Sequence, residues 1–205
     1  MAMANEQVNP HSNEVRYTLG VMAYQLSLAQ PESVRIASHS TEIVKSVMRY
    51  LCCDQVSIRV ESPEIQAAIV DAFGRRVEVT EPGCAPADAA LFPLSLEEGA
   101  QPAGEATIVV ACRNSLSYKS ILHPGATHGT AFGIPTRLRR AYDLRPVAGL
   151  YSPQFVLWLA LAKIVERWSS AWYFRLEDRA MSRLITSGAM WRLSYIVVAA
   201  GPSAG

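Results

Sequence analysis

The sequence predicts an α/β fold, a mostly parallel sheet flanked by helices, and three observations predict it. Short β-branched segments alternate with segments whose apolar residues recur at helical spacing. One segment, Ala106 to Ala111 (ATIVVA), is apolar without interruption, the pattern of a central strand buried on both faces. From Ser33 to Glu61 the chain reads strand, helix, strand, with a carboxylate closing the second strand. That is the layout of a nucleotide-type cofactor site.

The elements follow in order. Residues up to about Asn13 are polar, and Glu14 to Leu28 forms a leading helix whose periodicity is imperfect, broken at Gln30-Pro31-Glu32. Ser33 to Ala37 is the first strand. Ser40 or Thr41 caps the next helix, in which Ile43, Val44, Val47, Met48 and Leu51 make one stripe. Gln55 to Glu61 alternates Val56, Ile58 and Val60 and is the second strand. Ser62 and Pro63 open a helix that Gly74 ends. Arg76 to Thr80 is the third strand, Asp88 to Leu94 a fourth apolar segment, and Ala106 to Ala111 the fifth strand. A loop rich in Ser, His, Gly and Pro occupies Asn114 to Gly133. Pro135 to Tyr142 is a short helix and Leu144 to Leu150 a strand. Tyr151 to Trp168 is an apolar helix, a second helix runs toward Arg183, and Trp191 to Ala200 is the final strand. Residues 1–30 thus form a tail and leading helix, and 31–205 one α/β domain with a helical insertion at 151–187.

Composition narrows the function classes. Nineteen Lys plus Arg balance 18 Asp plus Glu, so net charge argues for no nucleic-acid partner, although Arg137 to Arg145 carries four arginines and one aspartate. The start has neither a basic n-region nor an apolar h-region, so no signal peptide is expected. The four cysteines, Cys52, Cys53, Cys84 and Cys112, show no CxxC spacing. That pattern fits a reducing, cytoplasmic setting and no metal. The run Phe155 to Ala162 is interrupted by Lys163 and is far shorter than the ~20 residues that span a bilayer. No transmembrane span is expected, and a peripheral membrane contact stays open.

The turn after the first strand, Ala37-Ser38-His39-Ser40-Thr41, contains no glycine. A dinucleotide-type site needs glycine there for a tight turn and a close backbone approach to the ligand. Glu61 suits a ribose diol, since a carboxylate accepts two charge-assisted hydrogen bonds. It equally suits a strand end beside a helix N-terminus, where the dipole favours negative charge. His39, His123 and His128 match no metal template and read as loop histidines, and Tyr118 and Lys119 lie in the same polar loop. The stretch Tyr151 to Tyr173 concentrates Tyr151, Phe155, Trp158, Trp168 and Trp172, with Arg175 following. It reads either as a lid over the sheet edge or as a partner surface, since aromatics with arginine dominate interface hot spots.

With these elements the chain resembles the class I SAM-dependent methyltransferases. ATIVVACRNSLSYKSIL resembles that family's fifth strand with a following Asn-Ser turn. TRLRRAYDLRPVAGLYSPQFVLW looks like the next helix, the sixth strand and the start of an insertion, and WRLSYIVVAAGP like the terminal strand. The resemblance covers Ser33 to Pro202. It implies a Rossmann-like sheet whose last strand returns antiparallel between the fifth and sixth. It places cofactor contacts at Ala37, Ser38, His39 and Ser40, at Glu61 for the ribose, and near Glu81 to Cys84 for adenine. The methyl acceptor falls near Phe92, Pro93 and Leu94. Because the first turn departs from the family, the expectation is a degenerate SAM site and a non-catalytic accessory subunit. That subunit would hold no cofactor and bind a protein partner through Tyr151, Phe155, Trp158, Trp168, Trp172 and Arg175. The alternative is an active SAM-dependent methyltransferase with an atypical, glycine-free first motif.

Overall fold

The computed structural model describes residues 12–36, 40–51, 56–60, 62–74, 77–79, 87–92, 106–114, 117, 143–151, 153–168, 172–179 and 194–202. Its strands are β1 (Ser33–Ile36), β2 (Val56–Arg59), β3 (Val77–Val79), β4 (Ala89–Phe92), β5 (Thr107–Arg113), β6 (Arg145–Gly149) and β7 (Ile196–Pro202). The helices are α1 (Asn13–Leu28), α2 (Thr41–Tyr50), α3 (Pro63–Phe73), α4 (Pro153–Trp168) and a further helical segment, α5, at 172–179. The expected helix at Pro135 to Tyr142 lies outside the described residues.

All seven strands form one sheet in the order β3-β2-β1-β4-β5-β7-β6. Pairings among β1 to β5 are parallel, and β7 runs antiparallel to both β5 and β6. The Rossmann-like architecture and the antiparallel return expected from the sequence are therefore present. The final strand begins later than expected, at Ile196 rather than Trp191, because Ser194 and Tyr195 bond the end of β5 as a connection before the ladder starts.

Local chemistry explains the elements. Ser40 caps α2 by accepting a hydrogen bond from the Ile43 N–H at 3.4 Å. Ser62 stands at the N-cap of α3 without a side-chain cap bond, and Pro63 at the first helical position leaves fewer N–H groups to satisfy. Gly74 ends α3 with φ +55°, a left-handed value that costs glycine nothing. Asp88 joins the amino ends of β4 and β1: its Oδ2 accepts from the Glu32 and Ser33 N–H groups, both at 3.0 Å. The Asp88 N–H in turn donates to Ser33 Oγ at 2.9 Å. Pro146 sits on β6, an edge strand, where a missing N–H is tolerated, and the β6–β7 ladder shifts register beside it.

The β1–α2–β2 and β2–α3–β3 crossovers step the same way along the sheet, so α2 and α3 share a face. Helix α1 lies beside α2 and reaches across β4, β5 and β7. Its residues Tyr17 to Tyr24 are all buried, which explains the weak periodicity in its sequence: a helix enclosed on every side has no polar stripe. The sheet and α2 cover one side of it, and α4 and α5 cover another. Ile108 to Ala111 are essentially inaccessible, as the uninterrupted apolar run predicts for a central strand.

Candidate functional site

The chain winds outward from β1 through β2 to β3 and then crosses back to β4. The crossing falls between β1 and β4, and open α/β sheets bind ligands at the carboxyl ends of strands at such a point. Ile36 ends β1 there and Ser40 caps α2, so three residues, Ala37, Ser38 and His39, span the gap between strand and cap. Those three, with Glu61, Glu81, Cys84, Pro93 and Leu94, lie outside the described residues, as do His123, His128, Tyr118 and Lys119. Ser40 is half-buried and its hydroxyl is engaged by α2. Val60, just before Glu61 in the chain, is buried.

The same edge carries polar chemistry beyond β5. Asn114 is fully buried: its N–H donates to the Tyr195 carbonyl and its Nδ2 to the Ser194 carbonyl, each at 2.8 Å. Its own carbonyl accepts from the Ser117 N–H at 3.1 Å. These bonds tie the exit of β5 to the entry of β7. Beyond β6, Tyr151 adopts φ +66°, a strained backbone value for a residue with a side chain. Its hydroxyl donates to Glu14 Oε1 at 3.0 Å, and its ring lies 6.1 Å from those of Phe155 and Tyr195. The start of the insertion is thereby fastened to the start of α1.

Behind that contact lies a buried carboxylate. Glu177 on α5 is 7% exposed, and its Oε1 stands 3.1 Å from the Tyr17 hydroxyl and 3.3 Å from that of Tyr173. The Tyr173 hydroxyl also reaches the Gln154 carbonyl at 2.9 Å. Burial pushes the Glu177 carboxyl up to about 8, against the lowering effect of the two tyrosine hydroxyls and with a small upward contribution from Asp178. Burial and the adjacent Glu177 push the Tyr173 phenol far above its ordinary value. At neutral pH Glu177 is mostly protonated and Tyr173 is neutral. Cys112 on β5 is likewise an inert thiol, pushed up to about 12 by burial.

The aromatic residues of the insertion divide between two environments. Trp158 is wholly buried and Phe155 nearly so, with ring centroids 5.7 and 5.4 Å from Tyr17. Tyr173 and Phe174 join the same cluster. Phe155 and Trp158 were expected to face a partner; their surface is spent on α1 instead. Tyr151, Trp172 and Arg175 are exposed. The Trp168 side chain is outside the described set. Sequence reasoning missed Glu14, Tyr17, Asn114 and Glu177 as paired polar residues. Only Tyr173 and Glu177, four apart on one helix, carried a sequence signal.

Among the described residues no group of three or more His, Cys, Asp or Glu side chains could hold a metal ion. Among them, too, no helix is long and apolar enough to cross a membrane.

Comparison with protein-family models finds no match, and comparison with curated sequences finds none either. Solved structures do align. The chain is similar to the 1,6-didemethyltoxoflavin N1-methyltransferase of Burkholderia thailandensis, a structure that holds S-adenosylhomocysteine. The identity is 12% over 94% of this chain and 80% of that one, with a TM-score of 0.46. It is similar to YjhP of E. coli at 14% identity over 98% and 95% of the two chains, TM-score 0.42. It is also similar to a Pyrococcus horikoshii protein named for RNA methyl transfer at 10% identity. There it spans 47% of this chain and 58% of that one, TM-score 0.33. These likenesses concern the fold; the Rossmann-like sheet and its antiparallel return are read from this chain's own strand order.

Proposed function

We propose that the chain is a methyltransferase-like domain that does not hold SAM in the usual pose and serves as a non-catalytic accessory component, working through its insertion. The observation that carries this is the connection from β1 to α2. Only three residues separate Ile36 from the Ser40 cap, and all three bear a Cβ. A backbone that must approach a ribose and methionine closely uses glycine, for its missing Cβ and its freedom at positive φ. Ser40 Oγ accepts from the Ile43 N–H, so one of its acceptor sites is given to α2. On this reading the glycine-free connection is a poor fit to the cofactor, and no catalytic step is drawn through it.

One observation favours a second reading, an active SAM-dependent methyltransferase with Glu61 on the ribose. The strand order and its crossing point are intact, and Tyr151 with Glu14 stands at the adjoining edge. Calorimetric titration with SAM and S-adenosylhomocysteine separates the two. The accessory reading expects no heat of binding at micromolar concentrations. Micromolar binding that disappears in Glu61→Ala overturns it in favour of the enzyme.

A further inference from the structure

The outward side of the insertion is more apolar than a solvated surface requires. On α4, Val156, Leu157, Leu159 and Ile164 are 45–62% exposed and lie on one side of the helix, opposite Phe155, Trp158 and Val165. On α5, Trp172 and Leu176 are exposed opposite Phe174 and Glu177. Both inner faces meet at Tyr17, so both outer faces turn away from α1. The described charged side chains among these exposed residues are Lys163, Arg175 and Arg179, all cationic. Asp178 is half-buried on the α1 side, 3.5 Å from the Gln25 amide.

We propose that this face docks on an anionic lipid surface, burying the aliphatic side chains of α4 with Trp172 at the interface and Lys163, Arg175 and Arg179 on lipid phosphates. Three features favour lipid over protein. The α4 part of the face is aliphatic and carries a lysine, whereas protein interface cores are enriched in aromatics and depleted of lysine. Lys163 lies among the apolar side chains, where a protein partner would have to pair it or desolvate it at a cost. At a bilayer its stem lies along the acyl region and its ammonium reaches the headgroups. A second copy docked through a two-fold axis would set cations against cations. The position suits the role, because α4 begins at Pro153, two residues after Tyr151 on the carboxyl edge. The inference makes the insertion's role in the accessory reading specific, but it does not depend on whether SAM binds.

Co-sedimentation of the purified full chain tests it. The probes are vesicles of phosphatidylcholine alone and vesicles with about a third phosphatidylglycerol, with added salt as a further arm. Binding to the anionic vesicles only, weakened by salt, is expected. Arg175→Ala with Arg179→Ala should weaken it about 25-fold, about fivefold for each cation. Leu157→Ser with Ile164→Ser should weaken it at least tenfold through lost apolar burial. Circular dichroism checks that the variants stay folded; both arginines are exposed, so at least that pair keeps the test decisive. Failure of the wild-type chain to sediment with anionic vesicles overturns the proposal. So does equal binding to phosphatidylcholine. Self-association without vesicles, abolished by Leu157→Ser with Ile164→Ser, would assign the face to a second copy instead. A calorimetric SAM signal bears on the cofactor reading alone.

Discussion

Replacing Glu177 by glutamine should make the protein more stable above pH 6 and remove part of its pH dependence. The amide keeps the shape of the side chain and an oxygen for the Tyr17 hydroxyl, now 3.1 Å from Glu177 Oε1, but it cannot ionise. In the folded chain burial raises the carboxyl from its ordinary 4.5 to about 8. The folded state therefore holds the proton more tightly than the unfolded state between those values. Stability from this group is fully present below pH 4.5 and is lost as pH rises through about 8. A gap of about 3.5 units at 1.36 kcal/mol each gives a total loss on the order of 4–5 kcal/mol, of which about 3 is already lost at pH 7. Urea denaturation followed by tryptophan fluorescence at pH 5, 6, 7 and 8 measures this directly, provided the unfolding slope stays constant. The difference between wild type and Glu177→Gln isolates this one group from the other titrating residues. The variant should gain on wild type by roughly 1 kcal/mol per pH unit across the middle of that window. Parallel curves for the two proteins would refute the argument, because they would mean that the carboxyl titrates alike in both states.

Two further substitutions test the packing around the same helices. In Gly20→Ala the new Cβ would stand 2.5 Å from Phe174 Cζ, inside a buried aromatic cluster. Overpacking of about 1–3 kcal/mol should outweigh the 0.5–1 kcal/mol of helix propensity gained, lowering the melting temperature; Phe174→Leu in the same chain should restore much of the loss. Asp88→Ala removes the acceptor for the Glu32 and Ser33 N–H groups and should cost roughly 1–2 kcal/mol in denaturant titration. Asp88 sits at the amino ends of β1 and β4, at the end of the sheet away from its carboxyl edge.

Much of the fold was legible because the strands that define it are short, apolar and separated by helices with one stripe each. Ile43, Val44, Val47 and Met48 are buried on α2 as their spacing requires, and Ile65 and Ile69 on α3. What spacing could not convey was enclosure on two sides. The helix α1 buries Thr18 and Gly20 along with its large residues, and neither carries a hydrophobic signal. The start of the last strand was misplaced for a related reason. Trp191 to Tyr195 has strand composition, but Ser194 and Tyr195 give their carbonyls to Asn114, a bond from eighty residues away that no local pattern encodes.

The insertion shows why residue type alone misjudged the partner surface. Aromatic side chains drew attention to it, yet two of the largest, Phe155 and Trp158, lie inside, while the exposed face is built from Val156, Leu157, Leu159 and Ile164. The helical period would have separated them, since Phe155, Trp158 and Val165 share one side and Val156, Lys163 and Ile164 the other. A face is apolar on the inside because α1 is there, and Tyr17 with Glu177 records that partner in hydrogen bonds. The outer face records its partner only in charge: Lys163, Arg175 and Arg179 accompany it. An apolar side of α4 that carries Lys163, followed by a helix that presents Arg175 and Arg179, is costly to leave in water and costly to bury in protein. A negatively charged interface, wet on one side and oily on the other, satisfies both groups at once.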